Sequence, residues 1–156
     1  MPLILMACVT IGYILIHIFI FPKSVKWLNV GETWCYLVYM ISHALTMLVN
    51  QGVPSYKYID MVTAISENEM RNGGIDTDFV QQCNLCGIRL LKKDNGAHCT
   101  DCGVCVLGHD HHCPWTSKCV GRYNKYFFYI FTTSIFIFIF FTFSIVFFAL
   151  LNMISK

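Results

Sequence analysis

Cysteine and histidine are concentrated in one short part of this 156-residue chain, where metal or thiol chemistry is the expected use. Seven of the nine cysteines lie in this part: Cys83, Cys86, Cys99, Cys102, Cys105, Cys113 and Cys119. Gaps of two residues suit a tight turn that brings two thiolates to about 2.3 Å from one tetrahedral zinc ion. Six of these cysteines, all except Cys113, make two sets of four ligands together with His98 and His112. The spacing therefore predicts two zinc sites.

Three residues beside these ligands have the types needed for nucleophilic catalysis. Asp110, His111 and Cys113 fall within four positions of each other. A cysteine thiol titrates near 8.5, and a neighbouring histidine can lower that value to roughly 3.5–7.5. A base next to the thiol and a carboxylate that orients the base complete such a site. Cys113 is therefore the predicted nucleophile.

The part of the chain from 83 to 125 is predicted to be a small, loop-rich, zinc-binding cysteine-rich domain. It has few large apolar side chains, so a hydrophobic core alone cannot hold it together. A structural zinc ion in a small module contributes about 10–16 kcal/mol of apparent binding free energy. We expect both ions to be structural and closed to substrate. A redox protein using its Cys-x-x-Cys pairs is one alternative, although zinc would occupy those thiolates.

The composition predicts a membrane protein. Hydrophobic residues make up 56% of the chain and charged residues 13%, and a net charge of +2 gives no reason to expect nucleic-acid binding. Three uncharged apolar runs predict an α-helical transmembrane bundle of about three spans, at 1–22, 34–50 and 126–154. The first run could also be a signal peptide, but it lacks a basic start and a small-residue cleavage site.

Basic residues near the spans predict the orientation. The connection 23–33 holds two, whereas the stretch 51–125 holds eight, so the first is expected in the lumen and the second in the cytosol. Residues 51–82 are predicted to be a cytosolic linker, with Asp60 capping a short helix that ends near Asn72. His17 and His43 lie inside the first two spans, where we favour a histidine bonded between helices or lying near an interface over a functional role.

The stretch from Cys83 to Phe128 resembles the cysteine-rich domain of the Asp-His-His-Cys protein S-acyltransferases, or palmitoyltransferases. The matching run is His98-Cys99-x-x-Cys102-x-x-Cys105, then Asp110-His111-His112-Cys113-Pro114-Trp115, and finally Cys119-Val120-Gly121-x-x-Asn124-x-x-x-Phe128. The residues 50–54 after the second span are similar to the family's Asp-Pro-Gly segment in a degenerate form. Family members are multi-pass membrane enzymes, so the resemblance implies a Golgi or endoplasmic reticulum membrane as the location.

The resemblance also implies a role for each site residue. Cys113 would attack the thioester of palmitoyl-CoA, His111 would be the general base, and Asp110 would orient His111. Cysteine of a membrane-proximal protein substrate would then receive the acyl group. One zinc ion would be bound by Cys83, Cys86, His98 and Cys105, and the other by Cys99, Cys102, His112 and Cys119. No residue that binds the CoA part of the donor is assigned.

The chain departs from the family pattern at several positions. Gly87 to Ala97 has no proline and offers Arg89, Lys92 and Lys93 where the family carries a basic-Pro-x-Arg stretch. Lys118 stands where the family has asparagine. The family has four spans, so three candidate spans predict a truncated or minimal member, or one that needs a partner subunit to complete the bundle. The alternative function is a catalytically weak membrane zinc protein that serves as an adaptor or regulatory subunit.

Overall fold

The computed structural model describes residues 2–19, 26–71 and 79–155. Parts of three predictions lie outside these residues: 1 and 20–22 of the first span, 23–25 of the luminal loop and 72–78 of the linker. The helices are α1 (Pro2–Phe19), α2 (Lys26–Leu48), α3 (Tyr56–Arg71) and α4 (Lys125–Ile154). The strands are β1 (Val80–Gln82), β2 (Arg89–Leu91), β3 (Ala97–Cys99), β4 (Val104–Val106), β5 (His111–Cys113) and β6 (Lys118–Val120).

The chain divides into two compact units. The helical unit consists of Met1–Leu48, Pro114–Thr116 and Tyr126–Lys156. The cysteine-rich unit consists of Val49–Cys113 and Ser117–Lys125, and therefore begins well before the predicted domain boundary at 83.

Among the described residues, α4 is the one helix that is long and apolar enough to cross a membrane by length and composition. It has 30 residues and no charge after Lys125. The helix α1 is equally apolar but shorter, with 18 residues. The helix α2 has 23 residues, and Lys26 and Glu32 lower its average hydropathy. Of the three predicted spans, only the third therefore corresponds to a described helix that is long and apolar enough to cross a membrane.

The helix α2 begins at Lys26, eight residues before the predicted span at 34. The stretch Lys26–Thr33 has no proline, and its one glycine does not break the helix, so Glu32 lies inside it. Glu32 is fully buried. One carboxylate oxygen accepts a hydrogen bond from Thr142 Oγ1 at 2.8 Å, and the other lies 3.5 Å from His17 Nε2. His17 thus has the contact with another helix that the sequence favoured.

Further polar pairs join α1 to α2. The hydroxyl groups of Thr10 and Tyr36 are 2.9 Å apart, and those of Tyr13 and Thr33 are 2.8 Å apart. The rings of Tyr13 and Tyr36 stack with their centroids 4.3 Å apart. Together with the His17–Glu32 contact, these polar pairs determine which faces of α1 and α2 meet.

His43 is also held inside the helical unit. It is fully buried, its Nε2 lies 3.3 Å from the carbonyl oxygen of Trp115, and its ring stacks on Phe131 with centroids 4.5 Å apart. The ring contact joins α2 to α4, whereas the partner of the nitrogen lies in a turn and not in another helix as predicted.

The cysteine-rich unit contains three antiparallel hairpins, β1–β2, β3–β4 and β5–β6. Each strand has only three residues, so the part from 83 to 125 is loop-rich, as expected. Its small cores mix aliphatic and ligand side chains: one contains Leu90, Cys105 and Leu107, and the other Cys99, Val106 and Cys119. With so little apolar burial, cross-links between the hairpins have to supply most of the stability.

The helix α3 belongs to this unit. It is capped by Ser55, whose Oγ accepts a hydrogen bond from the Tyr58 backbone N–H at 3.2 Å; the prediction of Asp60 as the cap was wrong because Asp60 lies in the second turn. The Tyr58 hydroxyl donates to Asp94 Oδ2 at 2.6 Å and accepts from the Leu91 backbone N–H at 3.1 Å. Arg122 completes the contact with an ion pair to Asp94 at 2.8 Å. Residues of the predicted linker are therefore packed on the hairpins.

Candidate functional site

The first group of candidate metal ligands joins the hairpins β1–β2 and β3–β4. Cys83 follows β1, Cys86 lies in the turn before β2, and His98 and Cys105 face each other across β3 and β4. Cys83 Sγ is 3.6 Å from His98 Nδ1, Cys105 Sγ is 3.7 Å from the same nitrogen, and the sulfurs of Cys86 and Cys105 are 3.4 Å apart. The four ligand atoms lie within 4.8 Å of one another.

The second group joins β3–β4 to β5–β6. Cys99 ends β3, Cys102 lies in the following turn, and His112 and Cys119 face each other across β5 and β6. The distances from His112 Nδ1 to the three sulfurs are 3.6 Å for Cys99, 3.3 Å for Cys102 and 3.9 Å for Cys119. The structure thus brings together both ligand sets that the family resemblance implied.

These distances fit zinc. Two sulfurs at 2.3 Å from a tetrahedral ion are about 3.8 Å apart, and a sulfur and a nitrogen at 2.0–2.1 Å are about 3.6 Å apart. Backbone amides also stabilise thiolates here, since the Cys102 N–H points at Cys99 Sγ over 3.4 Å. At the first group, the backbone N–H groups of Cys86 and Leu85 lower the pKa of Cys83 to about 6. Each group offers four protein ligands, which is the mark of a closed structural site.

The hairpin β5–β6 carries both metal ligands and the candidate nucleophile. Side chains alternate along a strand, so His111 and Cys113 project from one face of β5 while His112 projects from the other. His112 can therefore bind metal on one side without taking up the residues on the opposite side. Cys113 is 2% exposed, whereas His111 is exposed.

Asp110 precedes β5, and its carboxylate lies between the His111 ring and the Lys125 ammonium group. Asp110 Oδ1 lies 3.8 Å from His111 Nδ1, and Oδ2 lies 3.0 Å from Lys125 Nζ. The hydrogen bond from Lys125, with a smaller contribution from His111, lowers the pKa of the Asp110 carboxyl. Asp110 is consequently ionised at neutral pH and suited to orient His111. Asp110 thus contacts His111, and His111 shares one face of β5 with Cys113.

Sequence reasoning assigned no site role to the segment that follows α2, although the structure joins it to the β5–β6 hairpin. Gln51 Oε1 accepts a hydrogen bond from the Cys119 backbone N–H at 3.1 Å. Lys118, which pairs with Cys113 across the hairpin, donates from Nζ to the Val49 carbonyl at 2.8 Å. The resemblance of residues 50–54 to a family segment and the departure at Lys118 were the signals available for these contacts.

Gly121 marks the tightest contact in this region, and replacing it with alanine is expected to disrupt the hairpin. A Cβ there would collide with the Gln51 carbonyl oxygen and lie 2.5 Å from Val106 Cγ1. We expect Gly121→Ala to lower the free energy of unfolding of the cysteine-rich unit by more than about 3 kcal/mol. Guanidinium unfolding, monitored through hydrogen exchange of amides in the cysteine-rich unit, would measure the decrease in the free energy of unfolding.

Gly96→Ala is the matched control in the same unit. The nearest atom to its added Cβ is Leu90 Cδ1 at 2.8 Å, the end of a flexible side chain that can move away. Its effect should be clearly smaller. Equal stability of Gly121→Ala and wild type would show that the packing of Gln51 against the hairpin is looser than described.

The site and fold together define a class. The candidate cysteine nucleophile lies on a hairpin that carries two ligands of a four-ligand metal group of the zinc-knuckle kind, and an apolar helix follows this hairpin along the chain. Residues 76–156 match the family model described as DHHC palmitoyltransferase. This chain belongs to that family, whose members are membrane proteins with a cysteine-rich, zinc-binding domain.

Individual relatives agree with the family match. The chain is similar to Palmitoyltransferase PFA3 of Candida albicans, with 27% identity over 82% of this chain and 41% of the relative. It is 38% identical to Palmitoyltransferase ERF2 of Kluyveromyces lactis over 42% of this chain and 17% of the relative. It is 43% identical to Palmitoyltransferase ZDHHC15 of Xenopus laevis over 39% of this chain and 17% of the relative. The chain thus spans less than half the length of each of these relatives.

Proposed function

We propose that this chain is a protein S-acyltransferase that transfers a long-chain fatty acyl group from acyl-CoA, with palmitoyl-CoA as the expected donor, to a cysteine of a protein substrate. The observation that carries the proposal is the placement of Asp110, His111 and Cys113 on one hairpin. The opposite face of that hairpin holds the ligands His112 and Cys119. Membership of the DHHC palmitoyltransferase family supports the same reaction.

The reaction would run in two steps, acylation of Cys113 and transfer of the acyl group to the substrate cysteine. His111 takes the proton from the Cys113 thiol, and the thiolate attacks the carbonyl carbon of the acyl-CoA thioester. The bond from that carbon to the CoA sulfur breaks, and the leaving thiolate takes up the proton. The substrate cysteine then gives its proton to His111 and attacks the Cys113 thioester. The bond from the acyl carbon to Cys113 Sγ breaks, and the proton passes from His111 to the Cys113 thiolate, which restores the thiol. Asp110 holds His111 in orientation through both steps.

Zinc would act as a structural ion in this scheme. When bound at the two groups of three cysteines and one histidine, it would neutralise the thiolates and join the three hairpins, with no position left open for substrate. The chain's own residues carry out the proton transfers and the attack. Because the second group includes His112, which is next to both His111 and Cys113, its occupancy would fix the strand on which both lie.

We also propose that α1, α2 and α4 form three membrane spans, with the cysteine-rich unit in the cytosol of a Golgi or endoplasmic reticulum membrane. The apolar character of α1 and α4 supports this arrangement, as does the excess of basic residues between 51 and 125. A bilayer location suits the chemistry because each buried methylene of the donor contributes about 0.8 kcal/mol to binding. The expected protein substrates have cysteines close to the membrane, and a further subunit could complete the bundle.

The test is to map the acyl group on the wild-type protein. The purified, detergent-solubilised chain would be incubated with an alkyne-tagged palmitoyl-CoA analogue, and its peptides analysed by mass spectrometry with and without hydroxylamine. A hydroxylamine-sensitive adduct on the Cys113 peptide, among peptides covering all nine cysteines, is expected. Zinc-loaded, monodisperse protein without any adduct would reject the enzyme and favour the alternative, a zinc-binding adaptor or regulatory subunit.

A further inference from the structure

Lys125 contacts the catalytic trio from outside the motif that defines it. It is the first residue of α4, and its Nζ lies 3.0 Å from Asp110 Oδ2. The other oxygen of the same carboxylate faces His111 Nδ1 at 3.8 Å. Each oxygen of Asp110 therefore has its own partner, and the lysine occupies the oxygen that His111 does not use.

The backbone holds both ends of this ion pair in place. The Asp110 N–H donates to the Val120 carbonyl at 2.9 Å, and the Lys125 N–H donates to the Gly121 carbonyl at 3.0 Å. Asn124, which is fully buried, braces the turn between them. Its Oδ1 accepts from the Gly121 N–H at 2.8 Å, and its Nδ2 donates to the Cys119 carbonyl at 2.9 Å. The backbone positions of Asp110 and Lys125 are therefore fixed next to each other by this turn.

We propose that Lys125 is a positioning residue for the acyl transfer proposed above, and that it acts through Asp110. By binding Oδ2, the ammonium group limits rotation of the carboxylate and keeps Oδ1 directed at His111. The inference rests on the proposed function, since it assigns Lys125 a role only if His111 serves as the base for Cys113.

The exposure of the Asp110–Lys125 ion pair indicates that it orients the carboxylate and adds little to the stability of the fold. The side chains of Asp110 and Lys125 are 37% and 40% exposed, and ion pairs this open to solvent contribute little to stability. A carboxylate with no second partner could turn freely about its χ2 angle and leave His111 without its acceptor. Loss of the lysine should therefore slow the reaction and leave the folded, zinc-loaded protein intact.

The test compares Lys125→Met, Lys125→Arg and Lys57→Met in the full chain, with tagged palmitoyl-CoA as the probe. The control Lys57 is an exposed lysine on α3, so its replacement removes the same charge from the same unit. Lys125→Met is expected to slow formation of the acyl-enzyme at saturating donor about tenfold, a part of the 10²–10⁴ that a general base contributes. The donor concentration for half-maximal rate should stay within about twofold. Lys125→Arg should restore most of the rate, and Lys57→Met should match wild type.

A double-mutant cycle with Asp110→Asn tests whether the lysine acts through Asp110. Once Asp110 is neutral, adding Lys125→Met should have no further effect on the rate. An equal loss in both backgrounds, a raised half-maximal donor concentration alone, or a lowered zinc content would each overturn the inference. So would a wild-type rate in Lys125→Met. These results all require an active wild-type enzyme, whereas wild-type protein without any adduct would reject the proposed function itself.

Discussion

Replacing Cys113 with serine is expected to abolish the acyl-enzyme, lowering covalent labelling by palmitoyl-CoA by at least about a thousandfold. A serine hydroxyl with a pKa far above that of a thiol supplies almost no nucleophile beside a single histidine base. The change is small in volume, and Cys113 lies outside both metal groups. The variant should therefore keep two zinc ions and the wild-type melting temperature. Label detected by in-gel fluorescence and zinc measured by mass spectrometry would check both expectations.

Cys8→Ser is the matched control for this experiment. Cys8 is an exposed cysteine on α1 and belongs to neither ligand group, so its removal should leave the hydroxylamine-sensitive label at the wild-type level. Persistence of that label in Cys113→Ser would mean that another thiol is the nucleophile. Loss of zinc from Cys113→Ser would instead mean that Cys113 takes part in a metal site.

Removing zinc is expected to unfold the cysteine-rich unit and with it to end acyl transfer. The hairpins have three-residue strands and two small cores, so the cross-links through the two ligand groups supply most of the free energy of folding. A chelator should release two zinc ions per chain. Hydrogen exchange should then become fast throughout the hairpins, while the far-ultraviolet circular dichroism from α1, α2 and α4 changes little.

Single-ligand variants separate the two groups. Cys86→Ser affects the group that joins β1–β2 to β3–β4, and Cys102→Ser affects the group that includes His112 on the nucleophile strand. Each should bind one zinc ion fewer, and Cys102→Ser should reduce acylation more. Acid should release zinc as well, because the ligand thiolates are protonated as the pH falls. A chain that keeps its exchange protection without zinc would contradict the structural role of the ions.

The metal ligands could be predicted from the sequence because many of them are only two residues apart, a spacing typical of zinc sites. Pairs such as Cys83 and Cys86 are close in sequence and need only a tight turn to meet. Which pair shares an ion with which histidine depends on how hairpins cross, and spacing alone leaves that open. The family resemblance supplied the pairing, and the structure has the ligand atoms of each set together.

Helix limits and long-range polar contacts were harder to predict. Because Glu32 is charged, the sequence predicted it to lie in the luminal loop, whereas its helix begins at Lys26. Its carboxylate is buried and accepts a hydrogen bond from Thr142, 110 residues along the chain. A hydropathy pattern cannot show that a charged residue will find such partners. The partner of Asp110 was missed for a similar reason, since Lys125 lies 15 residues away and only the β5–β6 hairpin brings it near.

The packing of α3 determines which piece of this chain can be excised as a stable fragment. Tyr58 packs against the core formed by Leu90, Cys105 and Leu107, and its hydroxyl serves both Asp94 and the Leu91 amide. A fragment starting at Cys83 would open that core to water and leave these polar groups without their shared hydroxyl. We therefore expect a protease-resistant piece that carries the whole Cys-His framework to begin ahead of α3, near Val49.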